Sequence, residues 1–146
     1  MKISSSPTHP NVLLVDDNRD GLLVRRALLE EQGYRVMVAG NGEDGLKLFF
    51  SDHFDLVVTD YRMPLMGGVE MIRRIREGRP QARVVLLSGF VEPLGLTEEN
   101  TGADAVIAKN SNEAAHLLRW VKRLIHRAPV RRPPGSHGGS MARARA

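Results

Sequence analysis

Apolar positions along this chain keep two rhythms. Short, nearly continuous runs enriched in Val, Ile and Leu read as strands buried on both faces: 11–17 ("NVLLVDD"), 55–60 ("DLVVTD"), 82–88 ("ARVVLLS") and 103–109 ("ADAVIAK"). "YRVMVA" at 34–39 alternates as a strand. Between them, apolar residues recur at helical spacing. Residues 18–33 carry Leu23, Val24, Ala27 and Leu28, with Gly33 as the stop. Residues 41–53 form a short amphipathic helix. Residues 68–78 set Val69, Ile72 and Ile75 on one side and arginines on the other. Residues 111–127 give the clearest helix, with Ser111 as N-cap and apolar positions 114, 117, 118, 121, 124 and 125. Pro93 and Gly95 interrupt residues 89–102, where only Thr97–Asn100 suits a capped helical turn.

Strand then helix, five times over, predicts an α/β fold: a doubly wound five-stranded parallel sheet with helices on both faces and a short or broken fourth helix. The domain is expected over residues 11–127. Residues 1–10 are Ser/Pro/Thr-rich and residues 128–146 Pro/Gly/Arg-rich, and both are expected to be disordered.

Charge changes this picture in one respect. Residues 1–113 hold 13 basic and 17 acidic side chains, whereas residues 114–146 hold eight basic and none acidic. A nucleic-acid reading would therefore rest on Arg127, Arg131, Arg132, Arg143 and Arg145 alone, without interleaved aromatics or a recognition helix, and such a partner is not expected. The chain has no cysteine, which fits a reducing compartment. The start lacks a signal-peptide apolar core, and no run reaches the roughly 18 apolar residues of a membrane helix. The expected location is the cytoplasm, with no membrane partner.

In doubly wound sheets, ligands bind beyond the carboxyl ends of the strands. Here those ends are Asp16 and Asp17, Asp60, Ser88 with Gly89, and Lys109. Singly, each has a plainer use: the acids as helix caps or turn residues, Ser88 as a turn serine, Lys109 as a solvated lysine. Together they place three carboxylates, a hydroxyl and an ammonium at one sheet edge. Carboxylates so close repel one another unless neutralised, and Mg²⁺ suits a small oxygen-lined site that receives a phosphate. Metal and lysine could screen a transferring phosphoryl group while an aspartate attacks it, and Ser88 could donate a hydrogen bond.

The stretches "LLVDDN", "LVVTDYRMPLMGG", "VVLLSG" and "GADAVIAK" resemble the receiver domain of bacterial two-component response regulators, the CheY-like member of the flavodoxin-like folds. The resemblance covers about residues 11–127. It implies Asp60 as phosphoacceptor, direct Mg²⁺ ligation by Asp17 and Asp60, Asp16 acting mainly through water, and the Arg62 carbonyl completing the metal shell. Ser88 and Lys109 would contact the phosphoryl group. The donor would be a phosphohistidine on a sensor histidine kinase or histidine phosphotransfer protein, and the chain a phosphoacceptor rather than a conventional enzyme. A downstream protein would meet the last strand and helix face. Two positions depart from the family pattern. Asn110 stands where a proline usually follows the lysine, and a trans bond is expected there. Val106 stands where the last strand usually carries an aromatic ring. With nothing folded expected after residue 127, the chain reads as a stand-alone receiver; the alternative is a receiver belonging to a hybrid histidine kinase.

Two other readings compete. "GNGEDG" at 40–45 matches the dinucleotide-binding fingerprint, but follows a complete strand–helix unit and leaves Asp17, Ser88 and Lys109 without a role. A turn at the helix N-terminus plus close helix packing is the plainer reading of its glycines. The carboxylates would also suit a metal hydrolase acting on phosphate esters, but His9, His53, His116, His126 and His137 do not cluster as ligands.

Overall fold

The computed structural model describes residues 9–126. Of the expected terminal segments, 1–10 and 128–146, residues 1–8 and 128–146 lie outside the described residues, as does residue 127 at the expected end of the domain. Five strands, β1 (Asn11–Val15), β2 (Arg35–Ala39), β3 (Leu56–Asp60), β4 (Val84–Ser88) and β5 (Ala105–Ala108), form one parallel sheet in the order β2-β1-β3-β4-β5. Between and after them run α1 (Arg19–Glu31), α2 (Gly42–Ser51), α3 (Gly68–Gly78), α4 (Val91–Leu94), α5 (Glu98–Thr101) and α6 (Glu113–Ile125). The doubly wound α/β architecture is therefore as the sequence predicts.

Period-two alternation sorts the strand residues onto two cores. Val12, Leu14, Leu56, Val58, Val85 and Leu87 pack against Leu22 and Leu29 of α1 and Leu117, Val121 and Leu124 of α6. Leu13, Val15, Val57, Val84 and Leu86 pack against Phe49 of α2 and Met71, Ile72 and Ile75 of α3. Both faces are covered, which is why the strands read as unbroken apolar runs.

The glycines of 40–45 serve packing. A Cβ on Gly45 would lie 2.9 Å from both Val15 and Met71, so α2 can sit close to β1 and α3 only without one. Asn41 caps α2 by accepting the Asp44 N–H at 2.7 Å.

Four expectations need correction. In α1, Leu22 and Leu29 face the sheet, while Leu23, Val24 and Ala27 are exposed and Leu28 is half-buried. Three consecutive apolar residues, 22–24, cannot all point inward on a helix, and the sheet takes the first. In α3, Arg76 is not on the outer face. It is buried because its guanidinium donates to the carbonyls of Gly102 (2.8 Å from Nη2) and Ala82 and to Asp104 (3.1 Å). The cap of α6 is Asn112 rather than Ser111, without a side-chain cap bond. The stretch 89–102 holds two single-turn helices rather than one. Pro93 is tolerated in α4 because it lies in the first turn, where a backbone N–H has no helical partner anyway. Thr97 and Asn100 form a reciprocal capping box on α5, close to the expected turn.

Candidate functional site

The sheet order reverses between β1 and β3, because the chain passes from β1 out to β2 and then returns to the other side. A crevice at the carboxyl ends of such a pair is where this architecture can hold a ligand. β1 and β3 pair as Val15↔Thr59, so the residues that follow, Asp16, Asp17 and Asp60, meet at the crevice. One carboxylate oxygen from each lies within 4.8 Å of the other two. Asp16 and Asp60 are buried and Asp17 is exposed, so the cluster opens to solvent on one side. Such a set of oxygens suits a hard divalent cation.

Lys109 leaves the end of β5 and donates from Nζ to Asp60 Oδ1 at 2.6 Å, with Asp16 Oδ2 at 3.8 Å. Its backbone N–H donates to the Ser88 carbonyl at 2.9 Å, which ties the end of β5 to that of β4. Ser88 pairs with Ala108 and is buried. Its hydroxyl oxygen accepts the Phe90 N–H at 2.8 Å and still has a proton to donate. Burial pushes the Asp60 carboxyl above the usual carboxylate range. The Asp16 charge adds to this, while the Lys109 hydrogen bond and charge and the Tyr61 backbone N–H oppose it.

The loop after Asp60 is fixed by steric need. A Cβ on Gly68 would run into the Asp60 carbonyl and lie 2.8 Å from Leu86, so the first residue of α3 must be glycine. Leu65 adopts a left-handed φ of 71° and is fully exposed. It edges a cleft of about 550 Å³ that runs from Asp17 past Asn41 and Asp44 to Arg74. The exposed Arg62 lies two residues beyond Asp60, its guanidinium 4.3 Å from the centre of the Phe90 ring.

The structure thus brings Asp16, Asp17, Asp60, Ser88 and Lys109 to one rim. The peptide bonds of the described residues, Lys109–Asn110 included, are all trans. Val106 is half-buried, and its N–H, on the outer side of edge strand β5, donates to Glu98 at 3.1 Å. The sequence reading missed Arg25 and Glu113. Arg25 reaches from α1 into the cluster and donates from Nη1 to Asp16 Oδ2 at 2.9 Å. The same guanidinium holds both carboxylate oxygens of Glu113, from Nε at 2.7 Å and Nη2 at 3.2 Å. Burial alone would lower the Arg25 pKa, but Glu113 and Asp16 outweigh it and raise it. The only hint in the sequence was a basic residue two helical turns beyond the acid pair.

A family model described as the response regulator receiver domain matches residues 12–121. The chain belongs to this family. The receiver is 38% identical over 117 residues to the autoinducer 1 sensor kinase/phosphatase LuxN of Vibrio campbellii, an alignment that covers 78% of this chain and only 14% of that protein. Among solved structures it is similar to the response regulator TrrA of Thermotoga maritima in complex with Mg²⁺-BeF. The TM-score is 0.72, with 33% identity over 79% of this chain and 98% of that one. The same regulator in complex with the histidine kinase ThkA gives a TM-score of 0.71 and 33% identity over 79% and 97% of the two chains. Receivers of this family are phosphoacceptor modules of two-component signalling, found both in free-standing regulators and within sensor kinases, and the acidic pocket here suits Mg²⁺ and aspartate phosphorylation. Among the described residues, no helix is long and apolar enough to cross a membrane.

Proposed function

We propose that this receiver accepts a phosphoryl group from a phosphohistidine onto Asp60 and loses it by hydrolysis. The single observation that carries this is Asp60 itself: a buried carboxylate at a strand end, 2.6 Å from an ammonium and beside two further acids at the mouth of a crevice. An Asp60 oxygen attacks phosphorus, the P–N bond of the phosphohistidine breaks, and the leaving imidazole takes up a proton. Lys109 and the Ser88 hydroxyl contact the transferred phosphoryl oxygens and offset their charge. Asp17, Asp60 and the Arg62 carbonyl would hold Mg²⁺ directly, with Asp16 acting mainly through water. When bound, Mg²⁺ would neutralise the charge that builds on the phosphoryl oxygens. Water later attacks the same phosphorus, and the acyl phosphate returns to carboxylate and inorganic phosphate.

The donor is a sensor histidine kinase or a histidine phosphotransfer protein. The ThkA complex of TrrA supports a kinase partner. So does the exposed apolar face of α1, where Leu23 and Val24 leave 50% and 67% of their surface uncovered. A donor helix carrying the phosphohistidine fits there. The domain is taken as residues 11–127, working in the cytoplasm, with β5 and its neighbouring helices meeting a downstream protein. The free-standing regulator and the hybrid-kinase receiver share this chemistry.

The test is phosphoryl transfer from radiolabelled acetyl phosphate with Mg²⁺, comparing the wild-type chain with Asp60→Asn. Label that depends on both Mg²⁺ and Asp60 is the expected result. Label that persists in Asp60→Asn, or none in the wild type, overturns the proposal.

A further inference from the structure

Three carboxylates in the crevice face two cations, Lys109 and Arg25, and only the first has a place in the proposed chemistry. Both oxygens of Asp16 are engaged. Oδ1 accepts the Asn18 N–H at 2.9 Å, and Oδ2 accepts Arg25 Nη1 at 2.9 Å. The guanidinium is held on its other side by Glu113, the first residue of α6, through two bonds. A groove has been left for it: a Cβ on Gly21 would stand 2.9 Å from Arg25 Nη1 and 3.6 Å from Asp16 Oδ2. The side chains of Arg25, Asp16 and Glu113 are 12%, 3% and 18% exposed, so the trio is shielded from the screening that makes surface pairs weak. Only a planar fork can serve two carboxylates in this way.

We propose that Arg25 is a positioning residue for the metal site, a resident counter-cation shared between Asp16 and Glu113. A divalent cation entering the cluster competes with Arg25 for the Asp16 carboxylate through its bound water, and Glu113 determines how readily the guanidinium yields. Metal occupancy is thereby linked to the first turn of α6, since an Arg25 that releases Asp16 remains held by both Glu113 oxygens. This inference depends on the proposed Mg²⁺ site and adds to it a residue that sets metal affinity.

The test is calorimetric titration of Mg²⁺ into the unphosphorylated full chain as wild type, Arg25→Met, Glu113→Gln and the double variant, with melting curves confirming that each is folded. Removing the competitor in Arg25→Met tightens Mg²⁺ binding about tenfold, the order expected for removing a positive charge a few ångströms from the ion. Glu113→Gln leaves Arg25 wholly to Asp16 and weakens binding, by roughly threefold on the same grounds. The decisive prediction is non-additive: once Arg25 is methionine, Glu113→Gln changes Mg²⁺ affinity little. A purely structural role would weaken binding in both single variants. Plain long-range electrostatics would make the two effects add. Either result overturns the inference while the Mg²⁺ site stands. If Arg25→Met does not fold, Arg25→Gln takes its place in the cycle with the same expected signs, and additive effects there overturn the inference. No saturable Mg²⁺ binding by the wild-type chain overturns the proposed site as well.

Discussion

The acid-lined rim and the stretch from Gly89 to Gly102 are neighbours built in opposite ways. The rim is assembled from strand ends. Asp16, Asp60 and Ser88 are buried, and Ser88 and Lys109 are joined through the β4–β5 ladder. The neighbouring stretch has two single-turn helices, of which α4 buries no residue and α5 buries only Thr101. Phe90 N–H donates to the Ser88 hydroxyl of the rim, and Val106 N–H in β5 donates to Glu98 of the neighbouring stretch. Chemistry that needs fixed distances is placed on rigid elements, while the segment beside it is thinly packed and inexpensive to rearrange.

The contrast can be broken most severely at its fixed point. Arg76 holds the Gly102 carbonyl and pairs with Asp104, which also accepts the Val84 N–H at 2.8 Å. Replacing it, Arg76→Met, leaves the largely buried Asp104 carboxylate without this arginine and should cost about 3–5 kcal/mol in chemical denaturation. A loss below about 1 kcal/mol would mean that α3 does not anchor the thin segment.

Asp60→Asn sharpens the other side of the comparison. The native Asp60 pKa is raised, chiefly by burial, so its ionised form is a burden on the fold at neutral pH. The native state binds a proton that the unfolded state lacks between the unfolded pKa and the raised native one. Stability from this group therefore grows as pH falls through that window and is lost as pH rises through it. Asp60→Asn should melt higher than the wild type at neutral pH, and the gap should narrow on acidification. An equal or lower melting point at neutral pH would contradict this reading of the rim.

Thr97→Ala is the mildest change. It removes the side-chain acceptor of the α5 capping box and should lower the local opening free energy of residues 98–102 by about 1 kcal/mol. Hydrogen exchange should show those amides opening faster while β4 amides keep their protection. Equal acceleration in β4 would show that the two regions unfold as one.

The sequence revealed the rim far better than the segment beside it. Asp16, Asp17, Asp60, Ser88 and Lys109 were legible because a buried parallel strand is a continuous apolar run, and a polar residue ending that run marks the sheet edge. The face of α1 was misjudged because Leu22, Leu23 and Val24 are all apolar, and only the sheet's position selects among them. Arg25 and Arg76 were illegible for another reason. Arg25 depends on Glu113, 88 positions away, and Arg76 on Gly102 and Asp104, 26 and 28 positions away. Periodicity records which face is apolar, not where a long cationic side chain finds distant oxygens. Residues 89–102 were hard to read because a single turn needs no periodicity and Pro93 forbids less at a helix start than within one.

The central claim is that one side chain on this rim becomes an acyl phosphate. The most direct measurement is to phosphorylate the full chain with acetyl phosphate and Mg²⁺, trap the product with borohydride, and locate the reduced residue by peptide mass spectrometry. The account predicts homoserine at position 60 and nowhere else; reduction at Asp16 or Asp17, or an unmodified chain, would contradict it.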